Sequence, residues 1–345
     1  MIYSISNVNT NACRYKVAVL LSGHARSITV TKNKILSIFR DEIGADFFLH
    51  TWSEQEMRES TWRKPENSNI KPLDVGVIKL INPDDYLVEA QDEIAIPPSV
   101  ANSIDALPPA LQASARGFWW MFYGIGKAYE LCIKNAVKNN KSYDVIIRYR
   151  LDEESDSTIN IVKDINKALC SRGIIMPAHD WAWPFGVFSD VYWVATAEDF
   201  SFASALIWDN CANYIARFAI YKKFIPELLI TKILRDNNLK ILPSSGIHAI
   251  VRQDGSRYYI TNCMRKGFKN RWLEMLSCWS LMTEIDMNNN ANSPNRKSGL
   301  LHSAWREYGV WPLRYYVCMI FLVKIAKVRE IISRQMGRWR SKKTA

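Results

Sequence analysis

The sequence predicts an α/β fold in which a mixed sheet is flanked by helices. Two short, continuous apolar runs, at residues 16–21 and 143–150, are followed by polar and charged residues, and a helical pattern follows the first run. Runs of this kind are typical of strands buried on both faces, and strands that alternate with helices predict a largely parallel sheet. The composition of the 345 residues, 48% apolar and 23% charged, is that of an ordinary globular protein and excludes wholesale disorder.

The remaining elements follow from the same patterns. Helical periodicity begins after residue 28 and extends over 110–139, where Gly124 and Gly126 weaken it. Residues 226–237 begin with Pro and Glu, a favourable start for a helix. Further helices are predicted at 159–171 and 199–220, and further strands at 46–50, 78–81, 173–177, 191–194, 247–252 and 258–260.

Charge divides the chain into a body and a tail. The last 35 residues carry +8 of the net +11, so nucleic-acid binding by the nearly neutral body is not expected. Residues 1–285 are predicted to form the globular domain that carries the site, 286–310 a linker, and 311–345 a basic amphipathic segment. Its apolar run at 315–323 is shorter than the about 20 residues that span a bilayer. The segment is therefore expected to form a helix on an anionic membrane surface, the alternative being a terminal helix docked on the domain with a disordered basic end.

Missing motifs exclude several chemistries. The seven cysteines include no CxxC pair, and the five histidines show no metal-ligand spacing. The sequence contains no GxxxxGK[ST], GxGxxG, GxSxG, HExxH or EF-hand pattern, which disfavours P-loop, dinucleotide-binding, serine hydrolase and zinc protease functions. The N-terminus shows no basic region followed by an apolar run, so a cytoplasmic location is expected.

Polar residues follow the predicted strands at their carboxyl ends, where ligands of open α/β sheets bind. The loop SGHARS at 22–27 follows the first strand, and His50, Thr51 and Trp52 end the second. Within the loop, Gly23 permits a tight turn and Arg26 is long enough to reach a phosphate. A lone histidine such as His24 is more often structural.

The run RYRLDEESD at 148–156 is the most specific of these endings. Alternation along a strand places Arg148, Arg150 and Asp152 on one face. Two guanidiniums fit a diphosphate bidentately, and a neighbouring carboxylate can take a divalent ion that bridges the same phosphates. Such a group stabilises the charge on a departing nucleoside diphosphate. The alternative is an internal ion pair followed by a solvated acidic turn.

Four segments in this order, SGHARS, DFFLHTW, the helix that contains Trp119 and Trp120, and YDVIIRYRLD, resemble bacterial glycosyltransferases of surface-polysaccharide (O-antigen and capsule) loci. The resemblance covers residues 15–255 and implies a GT-A-like, Rossmann-type fold with a nucleotide sugar as donor. It implies that the SGHxR loop lies against the nucleotide and that RxRxD takes the part of a DxD motif. The donor-binding residues that it implies are Ser22, Gly23, His24, Arg26, Arg148, Arg150 and Asp152. A strict DxD triplet is missing, but Asp152 and Glu154 keep its carboxylate spacing and are the expected ligands of Mn²⁺ or Mg²⁺. The alternative is that Arg148 and Arg150 substitute for the metal electrostatically.

The acceptor side depends on aromatic and acidic residues later in the chain. The candidates for stacking on sugar faces are Trp181, Trp183 and Trp193. An inverting enzyme needs a general base near the acceptor hydroxyl. Asp190 is the first choice because it precedes an apolar strand in a Trp-rich stretch, and Asp180 and Glu227 are the alternatives, although Glu227 also suits a helix start. A retaining reaction would require no such base.

Together with the resemblance, these features predict a glycosyltransferase that moves a sugar to a lipid-linked glycan of lipopolysaccharide or capsule. The protein is expected to be peripheral, on the cytoplasmic face of the membrane. Its expected partners are a nucleotide-sugar donor, a lipid-linked oligosaccharide acceptor and an anionic membrane surface, without nucleic acid. Two alternatives stay open: another phosphate-handling enzyme (a sugar-phosphate transferase or a nucleotidyltransferase), and a non-enzymatic membrane-associated scaffold.

Overall fold

A mixed seven-stranded sheet flanked by helices organises the protein, which confirms the predicted α/β class. The computed structural model describes residues 15–55, 71–177, 188–220, 222, 224–252 and 254–259. The predicted linker at 286–310 and the basic segment at 311–345 lie outside these ranges. None of the helices within them is both long enough and apolar enough to cross a bilayer.

Most strands and helices lie close to their predicted positions. The described strands are β1 (Val17–Ser22), β2 (Asp46–Trp52), β3 (Asp85–Glu89), β4 (Val145–Arg150), β5 (Glu153–Ser155), β6 (Ile174–Met176), β7 (Tyr192–Thr196), β8 (Ile241–Pro243), β9 (His248–Val251) and β10 (Arg257–Tyr259). The described helices are α1 (Ile28–Ile35, continued by a π-helix over Leu36–Glu42), α2 (Gly76–Lys79), α3 (Pro98–Asp105), α4 (Pro109–Lys138), α5 (Thr158–Ser171), α6 (Ala197–Ile220) and α7 (Pro226–Asp236).

The main sheet has the strand order β3-β2-β1-β4-β7-β6-β8. β3, β2, β1 and β4 run parallel, and β7 pairs antiparallel with β4. The chain therefore builds outward from β1 through β2 to β3, and then returns to place β4 on the other side of β1. A smaller antiparallel sheet of β10, β9 and β5 follows from the end of β4.

The two faces of the main sheet bury different kinds of residue. Leu21 and Tyr149 belong to an apolar core shared with α1 and α5. Because side chains alternate along a strand, Ser22 and Arg148 face the opposite side, where α4 packs against β1, β2 and β3. That face therefore buries polar groups as well as apolar ones.

Helix α4 approaches the sheet closely at Gly124. A Cβ added there would lie 2.9 Å from Nδ1 of His50, closer than real Cβ atoms pack. The glycine that weakens the helical pattern is thus required by the contact between α4 and β2. The contact buries His50 completely, and this burial lowers the pKa of its imidazole to about 4.

Two segments differ from the predicted elements. Residues 78–81 do not form a strand, because 78–79 lie in α2 and 80–81 in the turn that follows it. This helix begins where Oδ1 of Asp74 accepts a hydrogen bond from the backbone N of Gly76 at 2.8 Å. The third strand is instead β3, an edge strand with too few buried apolar residues to resemble a core strand. Helix α3 lies in a stretch for which the sequence predicted no element, and it begins at Pro98, since proline suits the first helical position.

Candidate active site

The carboxyl ends of β1 and β4 meet where the strand order reverses. Ser22, the last residue of β1, is in register with Arg150, the last residue of β4. We refer to the edge formed by the carboxyl ends of β1, β2 and β4 as the rim. The chain leaves β1 toward β2 and leaves β4 toward β6 and β7, so the two connections diverge along the sheet. Ligands of open α/β sheets bind outside the carboxyl ends of the strands at such a point. The topology therefore makes the space beside β1 and β4 the candidate site.

Asp152 lies at the rim between two guanidiniums, that of Arg26 from the loop after β1 and that of Arg150 from the end of β4. Nε and Nη2 of Arg26 donate to its Oδ2 at 3.2 and 2.7 Å. Nε and Nη2 of Arg150 donate to its Oδ1 and Oδ2 at 2.7 and 2.8 Å. Burial favours the neutral acid, but the charges and hydrogen bonds of Arg150 and Arg26 hold the pKa of Asp152 well below its usual range. The group therefore ties the loop after β1 to the turn after β4 and keeps a net charge of +1.

Arg148 lies two residues before Arg150, on the face covered by α4. It is only 1% exposed, and neither its Nε nor its Nη1 has a hydrogen-bond partner in the described part of the chain. Burial lowers the pKa of this guanidinium to about 10, and the charge of Asp190 acts in the opposite direction. A buried cation without an acceptor is costly. This arrangement is the one expected where a bound anion supplies the missing acceptor.

The loop after β1 is fixed by contacts with the end of β2. Gly23 adopts φ +118°, a conformation that side chains disfavour, and its carbonyl accepts from Oγ1 of Thr51 at 2.8 Å. Nδ1 of His24 lies 3.1 Å from the carbonyl oxygen of Glu54, which suits a structural role for this histidine. Oγ of Ser22 is buried and has no partner among the described residues. The structure thus brings Ser22, Gly23, His24, Arg26, Arg148, Arg150 and Asp152 to one part of the sheet.

The candidate bases differ in their positions. Because β7 runs antiparallel to β4, its amino end lies at the rim, and partly exposed Asp190 just precedes it. The charge of Asp190 influences the pKa of both Arg148 and Arg150. Glu227 lies in the first turn of α7, directly after the proline that begins this helix. Asp180 lies outside the described residues.

The expected metal ligands, Asp152 and Glu154, do not converge. Asp152 is enclosed by two arginines, whereas Oε2 of Glu154 accepts from Nε of Arg257 at 2.5 Å. The reason is local, since the chain turns at 151–152 and the strand alternation that starts in β4 does not continue into β5. In the described ranges, no group of three or more His, Cys, Asp or Glu side chains is arranged to hold a metal ion. The described residues therefore do not fit a divalent cation at Asp152.

The structure adds Glu89 and Tyr123, which the sequence did not indicate, to the predicted polar ending of β2. Nε2 of His50 lies 3.0 Å from Oε2 of Glu89, and the hydroxyl of Tyr123 donates to Oε1 at 3.3 Å. Trp52 stacks on Tyr123 with ring centroids 5.9 Å apart. The polar ending of β2 signalled this group, but Glu89 was missed because β3 itself was.

Of the three tryptophans expected to stack on sugar faces, the structure describes only Trp193. Trp193 is fully buried in β7, where it packs against Phe122 and Phe200 beneath α4 and α6. It serves the core and does not stack on a sugar. Trp181 and Trp183 lie outside the described residues.

Comparisons with known proteins give distant structural similarity. No family model matches the chain, and no curated protein matches it. The chain is similar to mouse xyloside xylosyltransferase 1 in its apo form, at 13% identity and a TM-score of 0.33, over 66% of this chain and 84% of that one. It is also similar to a nucleotide-diphospho-sugar transferase, described as putative, from Desulfovibrio desulfuricans G20, at 10% identity and a TM-score of 0.29, over 87% and 97% of the two chains. At this level of similarity, substrate and reaction have to be inferred from the site itself.

Proposed function

We propose that this protein is a GT-A-like glycosyltransferase whose donor is a sugar attached to a nucleoside diphosphate. The observation that carries the proposal is the buried guanidinium of Arg148, whose Nε and Nη1 have no acceptor among the described residues, on β4 beside the point where the strand order reverses. Phosphate oxygens are good acceptors for a guanidinium, because its N–H groups match their geometry. The unpartnered hydroxyl of Ser22 lies on the same face and offers a further donor.

The arginines at the rim support departure of the diphosphate. Arg26 and Arg150, with Asp152 between them, contribute a net positive charge in addition to that of Arg148. Fixed positive groups aimed at a leaving group stabilise the negative charge that grows on it in the transition state. Since Asp152 is already engaged by two guanidiniums, we propose that the arginines take the place of Mn²⁺ or Mg²⁺ at this position.

Asp190 is our proposed general base for an inverting transfer. The acceptor hydroxyl oxygen would form a bond to the anomeric carbon while the bond from that carbon to the phosphate oxygen breaks. The bonding electrons leave with the nucleoside diphosphate, and the hydroxyl proton passes to the carboxylate of Asp190. The location of Asp190 at the rim, beside the arginines that would hold the diphosphate, supports this role.

The acceptor is proposed to be a lipid-linked glycan of a surface polysaccharide, reached from the cytoplasmic face of the membrane. The support is the charge of the sequence, with a net +8 over residues 311–345. Full-length protein should sediment with vesicles that contain phosphatidylglycerol, and a variant without 311–345 should not. Unchanged sedimentation of the truncated variant would refute the membrane role, and nucleoside diphosphate binding by the same variant serves as its folding control.

Donor binding and turnover by the full chain test the proposed function. Calorimetric titration with UDP, GDP and CDP should detect binding of at least one of them. The protein should also slowly hydrolyse the matching nucleotide sugar and so release that nucleoside diphosphate. Arg148→Met should weaken this binding by about tenfold or more. Arg172→Met is the matched control, because Arg172 pairs with Glu198 on the surface.

Three outcomes count against the proposal. Wild-type protein that binds none of the nucleotides has no donor site of this kind. Equal binding by wild type and Arg148→Met removes the residue on which the assignment depends. Release of pyrophosphate in place of a nucleoside diphosphate would identify the alternative, a nucleotidyltransferase.

A further inference from the structure

We infer that Glu153 and His248 form a positioning pair that holds the turn carrying Arg150 and Asp152. The inference rests on the proposed function, because it concerns the residues that would grip the donor. The pair itself touches neither donor nor acceptor in this proposal and acts through the turn. Neither residue was indicated by the sequence, since they lie 95 positions apart and meet only through the pairing of β5 with β9.

The pair connects β9 directly to the turn after β4. Nδ1 of His248 lies 2.6 Å from Oε1 of Glu153, and both side chains are 0% exposed. The other carboxylate oxygen, Oε2, accepts from the backbone N of Arg150 at 3.4 Å. The carboxylate of Glu153 thus contacts both Arg150 of β4, in the main sheet, and His248 of β9, in the smaller sheet.

Strand β9 also forms hydrogen bonds with the two segments that carry Asp152 and Arg26. The backbone N of Val251 donates to the carbonyl of Asp152 at 2.7 Å, and the carbonyl of Val251 accepts from Oγ of Ser27 at 2.7 Å. Ser27 follows Arg26 directly, so one residue of β9 joins both loops that meet at Asp152. His248 and Val251 therefore lie at opposite ends of a four-residue strand that braces the whole Arg26–Asp152–Arg150 group.

Packing alone does not account for the pair. Burial raises the pKa of Glu153, while the hydrogen bond from His248 opposes this effect, so the carboxyl group resides where its charge is disfavoured. Apolar residues of similar volume fill such a position at least as well as a buried polar pair. What the pair supplies, and an apolar residue does not, is a directional link between Arg150 and β9. The ring of Tyr192, 4.4 Å from that of His248, holds the imidazole in place.

Two substitutions of one residue separate positioning from packing. His248→Leu fills much of the imidazole volume but cannot donate to Glu153, whereas His248→Asn places an amide N–H near the position of Nδ1 and can donate. Tyr214→Phe is the control, because it removes a hydrogen bond from Tyr214 to Asp236 between α6 and α7, remote in the chain from the turn. The readouts are calorimetric affinity for UDP, GDP and CDP, and hydrogen–deuterium exchange of residues 150–155 without nucleotide.

The positioning role predicts that His248→Leu binds the nucleoside diphosphate about tenfold more weakly and exchanges faster at 150–155. His248→Asn and Tyr214→Phe should behave like wild type in both measurements. Wild-type behaviour of His248→Leu overturns the inference, and so does a loss in His248→Asn as large as that in His248→Leu, which would indicate packing. If wild type binds no nucleotide, the proposed function fails, and exchange in the two His248 variants still decides whether the pair holds the turn.

Discussion

Replacing Arg148 with methionine should make the ligand-free protein more stable. Burial lowers the pKa of Arg148 from 12.5 to about 10. This shift means that keeping the guanidinium charged costs about 3 kcal/mol more in the folded protein than in the unfolded chain. Because the folded-state pKa lies below the unfolded value, the unfolded chain holds this proton more tightly, and the whole penalty is present at neutral pH. Methionine has a similar reach without a charge, so Arg148→Met should raise the free energy of unfolding by up to about 3 kcal/mol.

Urea unfolding at pH 7.5, followed by tryptophan fluorescence, measures this change. Arg150→Met is the matched control, since it makes the same substitution two residues further along β4. There the guanidinium has acceptors, both oxygens of Asp152. Its removal should lower the free energy of unfolding by about 2–3 kcal/mol, because a buried carboxylate loses one of its two partners.

The opposite signs of the two variants are the decisive result. A loss of more than about 1 kcal/mol in Arg148→Met would show that its guanidinium is stabilised within the folded chain, and the reasoning about a missing acceptor would be wrong. The same concentration of nucleoside diphosphate should stabilise wild type by at least about 1.4 kcal/mol more than it stabilises Arg148→Met, as a tenfold difference in affinity requires. Arg148 would then weaken the free protein in return for binding the donor.

Three further predictions concern neighbouring residues. Gly124→Ala should lower the free energy of unfolding by about 1–3 kcal/mol in urea titrations, because its Cβ would lie 2.9 Å from His50, and Gly126→Ala, which has open space at its Cβ, should be neutral or stabilising. Between pH 6.5 and pH 4, wild type should lose about 3 kcal/mol of stability relative to His50→Gln. The reason is that the pKa of His50 is near 4 in the folded protein and 6.5 in the unfolded chain, so the unfolded chain takes up the proton first as the pH falls. Parallel pH profiles of the two proteins would contradict this prediction. Asp152→Asn should destabilise the protein by about 3 kcal/mol at pH 7 and weaken nucleoside diphosphate binding, because Arg26 and Arg150 lose their common anion. Urea unfolding measures the first loss and calorimetry the second. Wild-type stability or wild-type binding in this variant would count against the role of Asp152.

The sequence predicts those parts of the site that depend on local patterns. β1 and β4 are recognisable because strands buried on both faces are continuous apolar runs, and the charged residues at their ends stand out. Of the two partners of Asp152, Arg26 was not predictable in the same way. It lies 126 positions away and meets Asp152 only through the pairing of β1 with β4. Spacing also misled at Glu154, because the regular alternation of β4 ends at the turn over 151–152.

The antiparallel direction of β7 has a consequence for how specificity could change. β1 and β4 supply their side chains to the rim as the chain departs, whereas β7 supplies Asp190 as the chain arrives. In the proposed reaction, the residues that bind the donor and the residue that activates the acceptor are thus encoded in separate stretches of sequence. If the proposed function holds, substitutions next to Asp190 would change the choice of acceptor while Arg26, Arg148 and Arg150 keep the same donor.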